Sequence, residues 1–301
     1  MVDFDNLLFR ASSFGYLMVE PSNTKKEYYV GDLEISAQKY NSLIEKAVLA
    51  QNLDVLKSVS TKTVATGETL SETTKTHLID IYVSEVLKRR EEIDNKFLRK
   101  GNEREEAAIT LLSRVNKVFY KKNTEHLRNW FIKGMPDLYT GNIITNAEKI
   151  KDTKVSWSAF TFHRAKKGEL LKLYYWQIMC YLWLTGAKSG WVSYCLVNGT
   201  HKAITDEKMR LARSMDLLDP STSEEYKDSC KQIEINHIFD LEEFRNEYPF
   251  YEFDNDLSDW HYDIPIHQRV HEIEVVRDEA KIEKMKNRVI ECREWMKKNF
   301  N

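Results

Sequence analysis

Two aspartates and a lysine are the residues of this sequence whose types and spacing could do chemistry together. Asp137 follows Pro136 at the opening of a strand-like stretch, and Asp152-Thr153-Lys154 lies on a second such stretch further along. Strand side chains alternate between faces, so Asp152 and Lys154 share one face, and an adjacent strand can bring Asp137 beside them. Neighbouring carboxylates repel unless a cation neutralises them, and oxygen donors suit a hard one, magnesium or manganese. A lysine within reach can orient or deprotonate a water and help neutralise charge developing on a phosphate. The chemistry to expect is metal-assisted hydrolysis of a phosphate ester.

Two flanking features bear on this trio. Glu105, within Gly101-Asn-Glu-Arg-Glu105 at a helix start, could complete a coordination sphere. Standing among Glu103 and Glu106, it also reads as part of a solvated acidic helix start that suits the dipole. Gln177 and Tyr181 are four residues apart and therefore share one face of an otherwise apolar helix. They could hold the lysine, a water or a nucleic-acid backbone, or merely edge a core. A lone Asp-x-Lys occurs by chance on many surface strands, so the ordered set carries more information than any member.

The elements that must position these residues can be read from periodicity. Residues 1–100 read as mostly helical: Ala37–Lys57 and Ser71–Phe97 have apolar residues at helical spacing, with Thr61–Thr69 as a loop between them. A helix beginning at Gly101 presents Ala108, Leu111, Leu112 and Val115 on its apolar face. Trp130–Ile132 running into Gly134-Met-Pro-Asp137, a turn at Gly141-Asn142 and a return strand through Lys154 form a hairpin-like unit. Leu170–Leu184 reads as a long helix stopped at Thr185-Gly186, and Trp191–Val197 as a buried strand. Beyond residue 200 the pattern weakens. Leu217–Pro220 and Ser221–Cys230 read as a surface excursion, residues 264–277 as an edge strand or hairpin, and Asp278–Phe300 as a charged amphipathic helix. The expectation is an α/β protein divided into a helical part over 1–100, a core over 101–200 and an extension over 201–301, all in one domain.

The 301 residues suffice for a large core, and the net charge of -2 supplies no global attraction to nucleic acid, though a local basic groove would be enough. No stretch of about eighteen apolar residues suggests a membrane span, and the start lacks the pattern of a signal peptide. Cys180, Cys195, Cys230 and Cys292 are scattered and form no CxxC pair, which argues against zinc or iron–sulfur sites and for buried thiols in a reducing cytoplasm.

The order Gly-x-x-x-Glu, Pro-Asp, Asp-x-Lys, Gln-x-x-x-Tyr resembles the PD-(D/E)XK nuclease superfamily over residues 100–200, in particular its branch with lambda exonuclease, the YqaJ-type recombinases and the RecB nuclease domain. The resemblance implies a central mixed sheet flanked by helices, as in restriction endonucleases, and metal ligation by Glu105, Asp137, Asp152 and the Thr153 backbone carbonyl. Lys154 would be the catalytic lysine, Gln177 and Tyr181 its supporting motif, and the products would end in 5′-phosphates. Arg10-Ala-Ser12-Ser13 is similar to the element by which lambda-type exonucleases grip a terminal 5′-phosphate, but Arg10 lies closer to its serines than in the family, and Met135 replaces a phosphate-contacting serine. Ser12 or Ser13 reads equally as a helix N-cap.

The stretch after Lys154 stays open in both directions. Trp157, Phe160, Phe162 and His163 could stack on bases or pack in a core. Arg164, Lys166 and Lys167 could meet phosphates or form a solvated loop. The expected partner is double-stranded DNA, with a single-strand annealing protein and a homo-oligomer compatible with phage-type recombination. The competing readings are an endonuclease, an inactive DNA- or protein-binding relative and another metal hydrolase; the last is opposed by the lack of histidine clusters.

Overall fold

The N-terminal segment enters the core at once. In the computed structural model, which describes residues 3–300 except 23, 66, 92–94, 121, 218, 220, 221 and 255, β1 (Phe9–Arg10) leads through a 3-10 turn at Ala11–Ser13 into α1 (Phe14–Leu17). Next come β2 (Thr24–Val30) and β3 (Leu33–Ile35), then α2 (Ala37–Leu49), α3 (Leu53–Ser58) and β4 (Val59–Ala65). α4 (Glu72–Ile81), capped by the Ser71 side chain, runs on into a π-helical segment, Tyr82–Val86. α5 (Lys96–Glu103) and α6 (Glu105–Asn116) meet at a break at Arg104.

The central part contributes β5 (Leu127–Arg128), β6 (Ile132–Gly134), β7 (Leu138–Thr140), β8 (Lys149–Val155), α7 (Ala159–Lys167), α8 (Lys172–Thr185) and β9 (Ser189–Cys195). α9 (His201–Ser214), α10 (Glu224–His237) and α11 (Leu241–Glu247) precede β10 (Val270–Val276) and α12 (Glu279–Phe300).

The principal sheet has the order β10-β9-β8-β7, with β8 and β9 parallel and the other pairs antiparallel. Parallel neighbours need a crossover, supplied by α7 and α8. α8 is apolar apart from the stripe of Gln177 and Tyr181 and its exposed first residue, Lys172, as befits a largely buried helix; Ile178, Met179 and Leu182 pack with Phe14 and Leu17 of α1 and with Met285, Val289 and Met296 of α12. Ala108, Leu111 and Leu112 of α6 meet Leu138, Cys195 and Val197 in a separate cluster. This is the expected α/β fold, a mixed sheet flanked by helices. A second sheet, β1-β6-β5, sets β1 parallel to β6. All four cysteines are free and buried, as expected.

Several local expectations fail. Thr61–Thr69 is not simply a loop: Val59–Ala65 is β4, paired along its length with β2 in an antiparallel β3-β2-β4 sheet. Its β-branched residues favour a strand, but the partner lies far back in the chain. Ala37–Lys57 divides into α2 and α3 at Asn52, and Ser71–Phe97 divides into α4, the π segment and the start of α5, with 92–94 outside the described residues. The helix expected from Gly101 starts at Lys96 and breaks before Glu105. The run Ser221–Cys230, expected as part of a surface excursion, enters α10, and α9 precedes it where the pattern weakened; both bury little, Ile204 in α9 and Cys230, Glu234 and His237 in α10. So thin an apolar stripe leaves a faint sequence signal. Residues 218, 220 and 221 of that expectation lie outside the described residues.

Candidate active site

The β7–β8 register brings the two aspartates together. Leu138 faces Lys151 across the pair, so one step further Asp137 stands opposite Asp152. Buried Asn123 holds the bend before β7, donating its side-chain N–H to the Pro136 carbonyl (2.9 Å) and its backbone N–H to the Asp137 carbonyl (2.7 Å). Asp137 Oδ2 accepts from the Thr153 N–H at 2.6 Å and the Thr153 hydroxyl at 2.8 Å. Lys154 Nζ lies 2.6 Å from Asp152 Oδ2, donates to Gln177 Oε1 at 3.2 Å and sits 4.7 Å from the Tyr174 ring centroid.

Gln177 joins the group from the neighbouring helix. Its Nε2 donates to Asp152 Oδ1 at 3.1 Å and to the Tyr181 hydroxyl at 3.0 Å. One amide thus fixes an aspartate, the lysine and a tyrosine, and Gln177, Asp152 and Tyr181 are all buried. The stripe seen in the sequence is a wall of the site.

Electrostatics separates the roles. Burial, then the Asp152 charge, pushes the Asp137 carboxyl up to about 7, against the hydrogen bonds of Thr153 and the charge of Lys154. Burial pulls Lys154 down, but Asp152 and Asp137 outweigh it and hold the lysine above its ordinary value. Lys154 is therefore an ammonium suited to neutralising charge, and poorly suited to removing a proton from water. Burial and the nearby aspartates hold Tyr181 well above the usual tyrosine range, which keeps its hydroxyl proton in place. Asp152 Oδ2, shut off from solvent, accepts no well-directed hydrogen bond and meets only the Lys154 ammonium at ion-pair distance. An acidic oxygen pair of this kind, held together against its own repulsion, fits a hard divalent cation.

Glu105 does not join that pair. It is the first residue of α6, and its carboxylate is ion-paired at 3.0 Å with Lys122, which also binds Glu106. Among the described residues no three histidine, cysteine, aspartate or glutamate side chains gather at one point. Lys122 neutralises Glu105 locally, where a third carboxylate beside Asp137 and Asp152 would add repulsion. Thr153 meets Asp137 through its N–H and hydroxyl.

Next to Tyr181 a cleft of about 550 Å3 is lined by Arg10, Ser12, His126, Arg128 and Lys133, among others. The parallel β1–β6 register sets Arg10 against Lys133. Gly134 permits this assembly: a Cβ there would stand 2.7 Å from the Ala11 Cβ and 2.9 Å from Tyr181 Cε1. Ser12 is exposed in the cleft and Ser13 is half-buried; the Ser13 side chain does not cap α1, so the N-cap reading fails. His126, Arg128 and Lys133 carried no sequence signal, because only the pairing of β1, β5 and β6 assembles them.

Arg164 and Lys166 lie on the exposed face of α7, not in the loop that the sequence suggested; a capping box of Ser158 and Thr161 starts the helix. Phe162 is buried in the core while Phe160 is 67% exposed. Trp157 packs edge-on against Phe97 and His237. His163 is exposed.

The fold and the acidic hairpin together define an α/β protein with a mixed sheet flanked by helices and a pair of aspartates beside a lysine on the sheet. A phage-related exonuclease from Haemophilus somnus 129PT superposes with a TM-score of 0.55 over 96% of this chain and 93% of that one, at 20% identity. The alkaline exonuclease LHK-Exo from Laribacter hongkongensis gives a TM-score of 0.44 at 11% identity, covering 76% of this chain and 85% of that one. Its complex with dAMP gives 0.45 at 11% identity, covering 97% and 92%. No family model matches the chain, and no curated protein matches its sequence. At these identities the likeness speaks for the fold alone.

Proposed function

We propose that this chain is a magnesium- or manganese-dependent deoxyribonuclease, acting as an exonuclease on linear double-stranded DNA and leaving 5′-phosphates. The observation that carries the reading is the constellation of Asp137, Asp152 and Lys154 on one face, locked by Gln177. Asp137 and Asp152 would hold the cation, with Glu105 once Lys122 releases it and with the Thr153 carbonyl. Such a cation supplies Lewis-acid stabilisation of the phosphate and eases loss of a proton from water.

The protein groups do the rest. Lys154 offers a fixed positive charge to the phosphate as negative charge builds on it. Gln177 keeps Lys154 and Asp152 in register, and Tyr181 keeps a hydroxyl proton to donate. The basic cleft with Arg10 and Ser12 suits a terminal phosphate, Ser13 supports it from the same turn, and Arg164 and Lys166 suit the DNA backbone. This activity fits phage-type recombination in a cytoplasm, with a single-strand annealing protein and further copies of the chain as partners.

The deciding assay digests linear duplexes with and without a 5′-phosphate beside a closed circular plasmid, in magnesium. Linear DNA should be degraded, faster with the phosphate, and the circle spared. The Lys154→Ala variant should lose roughly a hundredfold or more in rate. Rapid cutting of the circle would replace the exonuclease by an endonuclease, and full activity of Lys154→Ala would refute the site.

A further inference from the structure

α7 follows directly on the strand of the candidate site: Lys154 belongs to β8, and only residues 156–158 separate the two elements. Phe162 anchors the helix in the main core. Phe160, His163, Arg164 and Lys167 are exposed, Phe160 by 67%. Helix positions four and seven residues apart share a face, so Phe160, Arg164 and Lys167 form one outer stripe with His163 beside it. A row of rings joins the helix to the candidate site. Tyr174 lies 4.7 Å from Lys154 Nζ, Tyr194 is 6.3 Å from Tyr174, and His271 stacks on Tyr194 at 6.3 Å. Burial and then the charge of Lys166 hold His271 below its ordinary pKa, which places the last turn of α7 at the end of that row.

The charges of this stripe are unlike those of the other surface helices. On α9, α10 and α12 cations are neutralised by acids one turn away: Lys202 by Asp206, Arg210 by Glu207, Lys227 by Glu224 and Lys286 by Glu283. Arg164, Lys166 and Lys167 form no ion pair among the described residues. The helix dipole favours basic residues in a last turn, which accounts for the cations but not for an exposed ring in the first turn. An aromatic face and unneutralised cations on one stripe suit an unpaired nucleic-acid strand, whose bases stack on the ring while its phosphates meet the charges. Inside a duplex the base faces are covered by neighbouring pairs, so the cations can act there but the ring cannot. We infer that the outer stripe of α7, Phe160 with Arg164 and Lys167, is a platform for single-stranded DNA beside the candidate site. This rests on the nuclease reading, because digesting one strand of a duplex leaves its complement unpaired next to the site.

The test measures binding by the full chain, in EDTA, of one labelled duplex carrying either a normal 3′ single-stranded tail or a tail of the same length made of abasic sites. Both tails have the same phosphates, and only one has bases. Fluorescence anisotropy over a series of salt concentrations gives the affinities. The wild type should prefer the normal tail by roughly fivefold or more, the factor that one stacked base supplies. Phe160→Ala should lose that preference while its affinity for the abasic tail and its salt dependence stay unchanged. Phe160→Leu, which keeps apolar bulk but has no ring, should behave like alanine, and Phe160→Trp should keep the preference. Arg164→Gln should weaken binding of both tails alike and lower the logarithmic salt dependence by about 0.7, the share of one phosphate on a single strand. A preference that survives in Phe160→Ala or Phe160→Leu, with the melting temperature unchanged, would overturn the proposal and leave the nuclease reading standing. Equal binding of both tails by the wild type would do the same. Failure of the wild type to bind any DNA would overturn both.

Discussion

Replacing Asp137 with asparagine should make the metal-free protein more stable while destroying its activity. The carboxyl is raised from 3.8 to about 7, by burial first and by Asp152 second. At about 1.4 kcal/mol per pH unit, that span corresponds to roughly 4 kcal/mol of destabilisation when the group is ionised, an upper bound because side chains and water relax around it. The folded value lies above the unfolded one. The stability associated with the neutral acid is therefore complete below about pH 4, falls as pH rises, and is fully lost above about pH 7. Asparagine keeps an oxygen for the Thr153 N–H and removes the repulsion. We expect Asp137→Asn to exceed wild type by about 2 kcal/mol at pH 8.5 in EDTA, a melting shift of roughly 4–8 °C for a chain of this size. Near pH 4 the gap should shrink to almost nothing. Magnesium should then raise the melting temperature of wild type more than that of the variant, since a cation relieves the same repulsion. Calorimetry or thermal shift across this pH range is the assay. A gap independent of pH, or a variant less stable at every pH, would refute the electrostatic reasoning; surviving nuclease activity would refute the role of Asp137.

Three further outcomes follow from the same geometry. Gln177→Ala removes the bonds to Asp152, Lys154 and Tyr181 and should lower kcat by about ten- to a hundredfold with little change in KM, the size usual for groups that orient a metal site; steady-state kinetics on linear duplex checks this. Gly134→Ala forces a Cβ within 2.7 Å of Ala11 and 2.9 Å of the Tyr181 ring, and should cost about 1–3 kcal/mol of stability in urea unfolding, together with the advantage of a 5′-phosphate. In a pH–rate profile, activity should rise through about pH 7 as Asp137 ionises, and more magnesium should move that limb to lower pH. Lys154 is held above its ordinary value, so no alkaline fall should be seen near neutrality; one there would show that the Lys154 ammonium is lost too early to neutralise charge on the phosphate.

Much of the candidate site is local and therefore readable from residue order. Alternation along β8 puts Asp152 and Lys154 on one face, and the helical repeat of α8 puts Gln177 and Tyr181 on another. Gly186 ends that helix at φ 77°, in the left-handed region that glycine tolerates. Errors came where an element has little apolar surface or a distant partner. α9 and α10 bury few side chains, and β4 becomes a strand by pairing with β2, whose first residue, Thr24, faces Ala65. Glu105 was identified as a candidate ligand, but its ion pair with Lys122 depends on how α6 meets the edge of β7, where Lys122 bridges to Leu138.

The sequence by itself determined the acidic hairpin, its lysine, the polar stripe on the long helix and hence the chemistry to propose for them, because each depends on a period of two or of 3.6 within one continuous segment. Only the tertiary structure decided that Gln177 binds both Asp152 and Lys154, that Lys154 remains an ammonium, and that Arg10, Lys133 and Glu85 meet in one ion-paired cluster. Those depend on burial and on contacts between segments far apart in the chain, which residue order does not encode locally: residues 10, 85 and 133 share no period, and their charges meet only after β1 has paired with β6 and α4 has packed nearby.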